Sequence, residues 1–449
     1  MLSSVPLAPL IALLGSDHVR TDEDSRRRGV SAWAPTVLKA RQMGEVALPI
    51  AAVFPGTVDE VAALAEWCHR QRLSVIPVGG ASSLRPFTPE DRPWLALMTE
   101  RLQELSWDEE SLLVTLGAGM AFEQAEETLN RHGYTLGHFP RTLRQSTVGG
   151  AVATNAIGWL SGKYGRIRDL TAGVEIVRFD GSIVRTDPAP GANTRFDGHD
   201  LLIGSEGAFG VVTSATLRMS PLPEARAFAV FSFPDFETGT DAARLIYRSD
   251  ARPAALRLLD RASAAALADV PALLLMAFEG DEIVQTGHYQ LAYAVCQEIG
   301  GTPLGPEIGD RWFERRYDVA WAAANGQPGT VVDLAAFTSV WSKSKGLFRS
   351  CQSALAGRSV QGFIELCHPS PNGSLLEIRY RTDDPDGDPA NALRLHAEVT
   401  DRLTEACRSA GGSPVHPPGL RPTGDFGTAQ ENAEAAWKRL FEVGRRFPA

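Results

Sequence analysis

The chain has 449 residues, too many for one small core, so length alone leads us to expect two or three domains. An apolar share of 44% and a charged share of 22% are ordinary for a globular enzyme, and a net charge of −10 argues against a nucleic-acid or anionic-membrane binder, both of which want a basic surface. Five widely spaced cysteines without a CxxC pair argue against a disulfide framework or a zinc site and fit a reducing, cytoplasmic setting.

Residues 7–14 form an apolar run with no basic flank, broken by Pro9, which predicts a short helix and not a signal peptide. No run is long enough to span a membrane. The charged stretch at residues 22–28, ending in Arg26, Arg27 and Arg28, is expected to be a solvated lead-in arm, a phosphate contact being the alternative.

From Pro49 the pattern is α/β. Residues 50–54 predict a strand. Thr57 with Glu60 is a capping box. Val61, Leu64, Ala65 and Cys68 then share one helical face. A buried strand over 73–78 runs into Pro77-Val78-Gly79-Gly80-Ala81-Ser82-Ser83. Small residues let a ligand approach the backbone, whose successive N–H groups suit a phosphate.

A strand over 111–114 and a helix over 121–132 lead to a second loop of this kind at residues 137–150. It holds Arg141, Thr142, Ser146, Thr147, Gly149 and Gly150. A helix is expected to start at Ala151 and to include Thr154, Asn155, Ala156 and Ile157. Asp180-Gly181 between strands over 173–179 and 182–185 predicts a hairpin. A third loop, Gly204 to Gly210, contains Glu206 and Gly207 and enters a strand over 211–219. Its alternating polarity predicts half-exposure. Three such loops in one α/β unit point to one extended cofactor. The GxGxxG and Walker A patterns are absent, which leaves FAD held by other means.

These motifs together resemble the FAD-linked oxidases of the vanillyl-alcohol-oxidase type, and within them the alkyldihydroxyacetonephosphate synthases. The residues carrying the resemblance are 77–83, Ser146-Thr147-Val148-Gly149-Gly150, Tyr164-Gly165-Arg166-Ile167-Arg168-Asp169-Leu170 and the Gly204–Thr213 segment. The resemblance implies an α+β fold: a two-subdomain PCMH-type FAD-binding domain, and a cap with an antiparallel sheet flanked by helices. We expect a helical arm at 1–44, the FAD domain at 45–224, the cap at 225–410, and a segment packing back near the flavin at 411–449. The implied FAD contacts are Pro77 to Ser83, Arg141 to Thr147, Thr154 to Ile157, and Glu206, Gly207, Gly210, Val211 and Val212. Ala81 replaces a usual third glycine. The histidine that bonds flavin covalently in some relatives is missing, so FAD is expected to be non-covalent.

The cap pattern predicts strands at 227–233, 254–259, 272–278, 360–367 and 374–381, and helices at 236–247, 282–299 and 389–410. Catalytic motifs implied by the resemblance are altered here. His368 remains where Ser370 replaces a tyrosine, and His416 is one histidine where three are usual. Ala323 stands in place of a substrate-binding arginine. Serine cannot take over a tyrosine's acid/base work. The candidate catalytic residues are therefore His368, His416 and Glu377, with Glu365 a further carboxylate in a predicted strand, where a charge needs a reason. Strand alternation places Glu365 and His368 on opposite faces unless the strand bulges. Arg379, Arg381 and Arg421 are candidates for an acidic substrate. No metal is expected. The partner is a small molecule, with a homodimer the family-level expectation. The reaction expected is hydride removal from a C–H next to oxygen or nitrogen, by an oxidase or a dehydrogenase. The alternatives are a non-redox, synthase-like flavoenzyme and a flavin-binding protein without turnover.

Overall fold

The computed structural model describes residues 5–30, 35–44, 46–83, 93–190, 198–318, 320–357 and 359–415. His416 and Arg421 lie outside the described residues.

The first layer grows from the capping box. The Thr57 hydroxyl accepts from the Glu60 amide at 3.1 Å, and the Glu60 carboxylate accepts from the Gly56 amide at 2.6 Å. Helix Val58–Gln71 follows, burying the four residues named from spacing. Arg72, left-handed at φ 54°, stops it and hands the chain to strand Ser74–Val78. That strand is the edge of a four-stranded sheet and runs parallel to Trp94–Met98, which also pairs in parallel with Ala51–Val53. Trp94–Met98 is buried at every position, and sequence periodicity missed it. A short, wholly apolar run has no alternation to count.

The second layer is an antiparallel sheet in the order Leu105–Asp108, Leu113–Gly117, Val211–Arg218, Thr171–Val177, Ile183–Arg185. Gly181, at φ 83°, makes the predicted hairpin turn. Val211–Arg218 is not half-exposed: its first five residues are buried, because it is the central strand and helix Val148–Thr154 packs on it. That helix also starts earlier than expected. Thr147 caps it by accepting from the Gly150 amide at 3.3 Å, so Thr154 and Asn155 close the helix and do not open it. Gly149 allows this, since a Cβ there would sit 2.6 Å from the Ala118 Cβ. One apolar core joins both layers around helix Val58–Gln71.

The cap is an eight-stranded antiparallel sheet. Its order is Thr302–Leu304, Ala225–Phe233, Ala272–Gly280, Ala255–Asp260, Val360–Cys367, Gly373–Asp383, Thr330–Val340, Ser413–Pro414. Thr330–Val340 was not anticipated, although it pairs with Gly373–Asp383 along its full length. One face is covered by helices Phe236–Arg248, Glu282–Glu298, Trp341–Ala354 and Pro389–Ser409. On the other face, Phe228, Val230, Leu259 and Leu275 pack with Trp159 and Leu160, which come from the flavin-side layers. The N-terminal arm divides. Leu10 and Leu14 enter the first core, whereas helix Pro35–Met43 packs on Pro389–Ser409. From that helix the buried Lys39 donates to the Asn325 carbonyl at 3.1 Å. Arg26, Arg27 and Arg28 bond to the Pro49 carbonyl, Glu23 and Glu100, respectively, as a lead-in arm would.

Candidate functional site

The three glycine-rich loops converge. A Cβ on Gly79 would lie 2.2 Å from the Thr147 hydroxyl oxygen, and one on Gly80 only 1.5 Å from the Gln145 carbonyl oxygen. Only glycine lets the first loop lie on the second. Thr142 and Ser146 share a hydrogen bond of 2.7 Å that tightens the second loop. The third loop joins through backbone bonds, Gly204 to the Val152 carbonyl at 2.9 Å and Glu206 to the Ala153 carbonyl at 2.8 Å. Gly207 faces the Pro77 ring, 3.8 Å from its would-be Cβ.

The result is one cradle. Val78, Gly149, Val211 and Val212 are buried, so they support it more than they line it. The Thr154 hydroxyl is spent on the Gly150 carbonyl at 2.8 Å. Strain collects here: Ala81, Asn155, Glu206 and His368 are left-handed at φ 45–50°, among six such non-glycine residues in the described chain. The Asn155 side-chain oxygen is buried without a partner. A cradle of close backbone approaches, with an unmet polar atom in its wall, fits FAD.

Above the cradle the two halves meet through charge. Arg141, on the second loop, pairs with Glu377 of the cap, their side chains 23% and 15% exposed. Arg257, 5% exposed, pairs with Glu365 at 2.5 Å and lies 3.7 Å from Glu377. Glu365 and Glu377 stand directly opposite on neighbouring strands, where two carboxylates would repel without that guanidinium between them. Trp159 takes both cations on its ring, Arg257 at 3.9 Å and Arg141 at 4.9 Å. Burial would raise the Glu377 carboxyl's pKa, but Arg141 and Arg257 hold it below the usual range. It is an ionised clasp, poorly suited to accept protons.

His368 joins this cluster. It follows strand Val360–Cys367 and turns left-handed at φ 45°, so strand alternation no longer governs its direction. Its surroundings are Arg257, Glu377, Arg166 and Arg141. Burial, then the Arg257 charge, lowers its pKa to about 3, so the ring is neutral at neutral pH.

Ser370 cannot mimic a catalytic tyrosine. Its hydroxyl donates to the Gly373 carbonyl at 3.1 Å in a tight turn. Ala323 is exposed, Arg381 pairs with Asp383 at 2.7 Å, and Arg379 lies 5.0 Å over the Phe363 ring. Val415 donates to the Ala336 carbonyl, at the register of Glu377, just before His416 leaves the described chain. Among the described residues no group of three or more His, Cys, Asp or Glu side chains is placed to hold a metal ion. Nor is any helix among them long and apolar enough to cross a membrane. Sequence reasoning missed Arg257 and Trp159. A lone cation inside the apolar run 254–259 was the available signal for the first.

Residues 49–187 match the FAD binding domain family, and residues 222–416 match the C-terminal domain of FAD linked oxidases. The alkyldihydroxyacetonephosphate synthase of Caenorhabditis elegans is 32% identical over 56% of this chain and 43% of its own length. A mitochondrial cytochrome D-lactate dehydrogenase of Arabidopsis thaliana is 27% identical over 63% of this chain and 52% of its own. The chain thus spans about half the length of these curated relatives. Among solved structures, an alkyldihydroxyacetonephosphate synthase superposes with a TM-score of 0.78 at 21% identity, over 91% of this chain and 80% of that one. Substrate-bound p-cresol methylhydroxylase gives 0.75 at 17% identity, over 91% and 88%. With both domain families in order and a cradle that fits the cofactor, the chain belongs to the FAD-linked oxidases and takes FAD, and its fold is of the vanillyl-alcohol-oxidase type.

Proposed function

We propose that this protein is an FAD-dependent oxidoreductase that oxidises a C–H bond next to oxygen or nitrogen in a small molecule, with His368 as the neutral hydrogen-bond acceptor that orients the substrate's O–H or N–H. The observation that carries this reading is the neutral His368, turned out of its strand beside the cross-domain charge cluster. Bound FAD supplies the hydride acceptor. The chain's own residues do the rest. Residues 77–83, 141–147, 154–157 and 204–212 hold the cofactor. Arg141, Glu377, Arg257 and Glu365 close the cap over it. His368, kept neutral by burial and neighbouring guanidiniums, accepts a hydrogen bond from the substrate's O–H or N–H on a ring nitrogen, and the proton itself leaves to solvent.

The bonding of the Ser370 hydroxyl within its turn and the exposure of Ala323 weigh against a synthase-like reaction. The test is anaerobic. FAD-loaded protein is mixed with panels of alcohols, amines and hydroxy acids while flavin absorbance is followed. Bleaching by one of them supports the proposal, and His368→Asn, which displaces the acceptor nitrogen, should then slow bleaching by about 10²-fold while retaining FAD. Alkyl exchange on an acyl-dihydroxyacetone phosphate would favour the synthase-like reading. A flavin reduced only by dithionite would favour a protein without turnover.

A further inference from the structure

His138 lies in the second loop, three residues before Arg141, and has no part in the mechanism above. It is 0% exposed, and neither ring nitrogen has a hydrogen-bond partner. Its ring tilts against Phe122 with centroids 4.9 Å apart. A neutral imidazole carries one donor and one acceptor. Leaving both unmet in the interior costs more than an ordinary hydrogen bond gains, and such groups in native proteins call for an explanation. Packing alone gives none, because a phenylalanine would fill the same place beside Phe122 with no polar atom to satisfy.

The location supplies the explanation. A Cβ on Gly158 would lie 3.2 Å from His138 Nδ1 and 2.7 Å from the Phe139 amide nitrogen, so the absence of a side chain there brings strap and ring together. Gly158 ends the strap 155–158, whose first residue, Asn155, carries a further unmet polar atom, as does Trp159, the residue that follows the strap. The strap continues into Trp159, whose amide donates to the Phe139 carbonyl at 2.8 Å and whose ring holds Arg141 and Arg257. His138 therefore sits behind the cofactor wall, at the root of the loop that presents Arg141 to the cap.

We propose that His138 is a positioning residue for FAD. Seating of the cofactor moves the strap 155–158 so that the imidazole gains a hydrogen bond from it, which fixes the Arg141 loop against the cap. His138 touches neither flavin nor substrate and acts through the strap.

The test uses the full chain labelled with [15N]histidine, with FAD removed and then restored. The His138 nitrogen resonances are assigned by their loss in His138→Gln. They are expected to move from free to hydrogen-bonded positions when FAD is added. In parallel, FAD affinity is read by quenching of flavin fluorescence. His138→Phe should raise the Kd about tenfold while the apoprotein melts no lower than wild type, since an unmet polar group has been exchanged for an apolar one. His138→Gln, which can still donate and accept, should recover part of the affinity. Resonances indifferent to FAD, or an unchanged Kd in His138→Phe, would overturn the proposal. If the phenylalanine variant does not fold, the wild-type spectra and the glutamine variant's Kd decide.

Discussion

Ala81 shows how a single methyl group can be set against a fold. It occupies the left-handed region at φ 49°, where a Cβ meets the neighbouring carbonyl oxygen. Ala81→Gly should stabilise the protein by about 1 kcal/mol, measured by denaturant unfolding. An unchanged or lower stability would mean that its surroundings already absorb the strain. Protons offer a second handle. His138 and His368 stay neutral in the folded chain down to about 3, against 6.5 when unfolded. The unfolded chain therefore binds more protons between these values, and stability falls as pH drops through that window. Glu126 works the other way. Burial pushes its carboxyl up to about 7, so its contribution is complete below 4.5 and is lost as pH rises through 7. Two histidines outweigh one carboxyl between about pH 4.5 and 6.5, leaving a net slope of about 1.4 kcal/mol per pH unit, with stability rising with pH. Urea unfolding at two pH values inside the window checks both the sign and the size.

Among elements, the decisive contact is between the second loop and strand Gly373–Asp383. Arg141 and Glu377 belong to different halves of the chain, and Arg257 shares the same carboxylate. Replacing one partner of a largely buried pair leaves the other charge desolvated. Glu377→Gln should therefore destabilise by about 3 kcal/mol, and adding Arg141→Met should restore most of that loss. A purely additive pair of effects would show that the two side chains do not couple. The left-handed turn at His368 belongs to this scale too. It ends strand Val360–Cys367 and gathers His368 with Arg141, Arg257 and Glu377 into one cluster.

For the whole molecule, three loops of the flavin-side layers converge on one cradle, the proposed cofactor site, and the cap meets them through Arg141 and Trp159. FAD binds the folded chain alone, so a concentration 100 times its Kd should add about 2.7 kcal/mol of stability. Because the clasp joins the halves, the unfolding transitions of the flavin-side layers and the cap should shift together, as read by calorimetry with and without FAD. Two transitions of which only the first moves would mean that the cap is energetically separate.

Much of this was legible in one dimension. The loops at 77–83, 137–150 and 204–210 pointed to a cofactor through small residues and hydroxyls, and the structure brings them together; most cap strands and helices followed from periodicity. Local chemistry determines such features, because turn residues, caps and hydrophobic period act within a few positions. Strands Trp94–Met98 and Thr330–Val340 escaped because their identity lies in their partners, one held by a parallel strand on each side and the other beside Gly373–Asp383. The charge cluster escaped for the same reason. Arg141, Arg257, Glu365 and Glu377 stand far apart in the chain, and only sheet register and domain contact make them one group. The sequence by itself therefore determined the cofactor and the kind of fold. Tertiary structure decided which carboxylate is a clasp, which histidine stays neutral, and which buried ring is left without a partner, because pairing and desolvation depend on neighbours that the order of residues does not reveal.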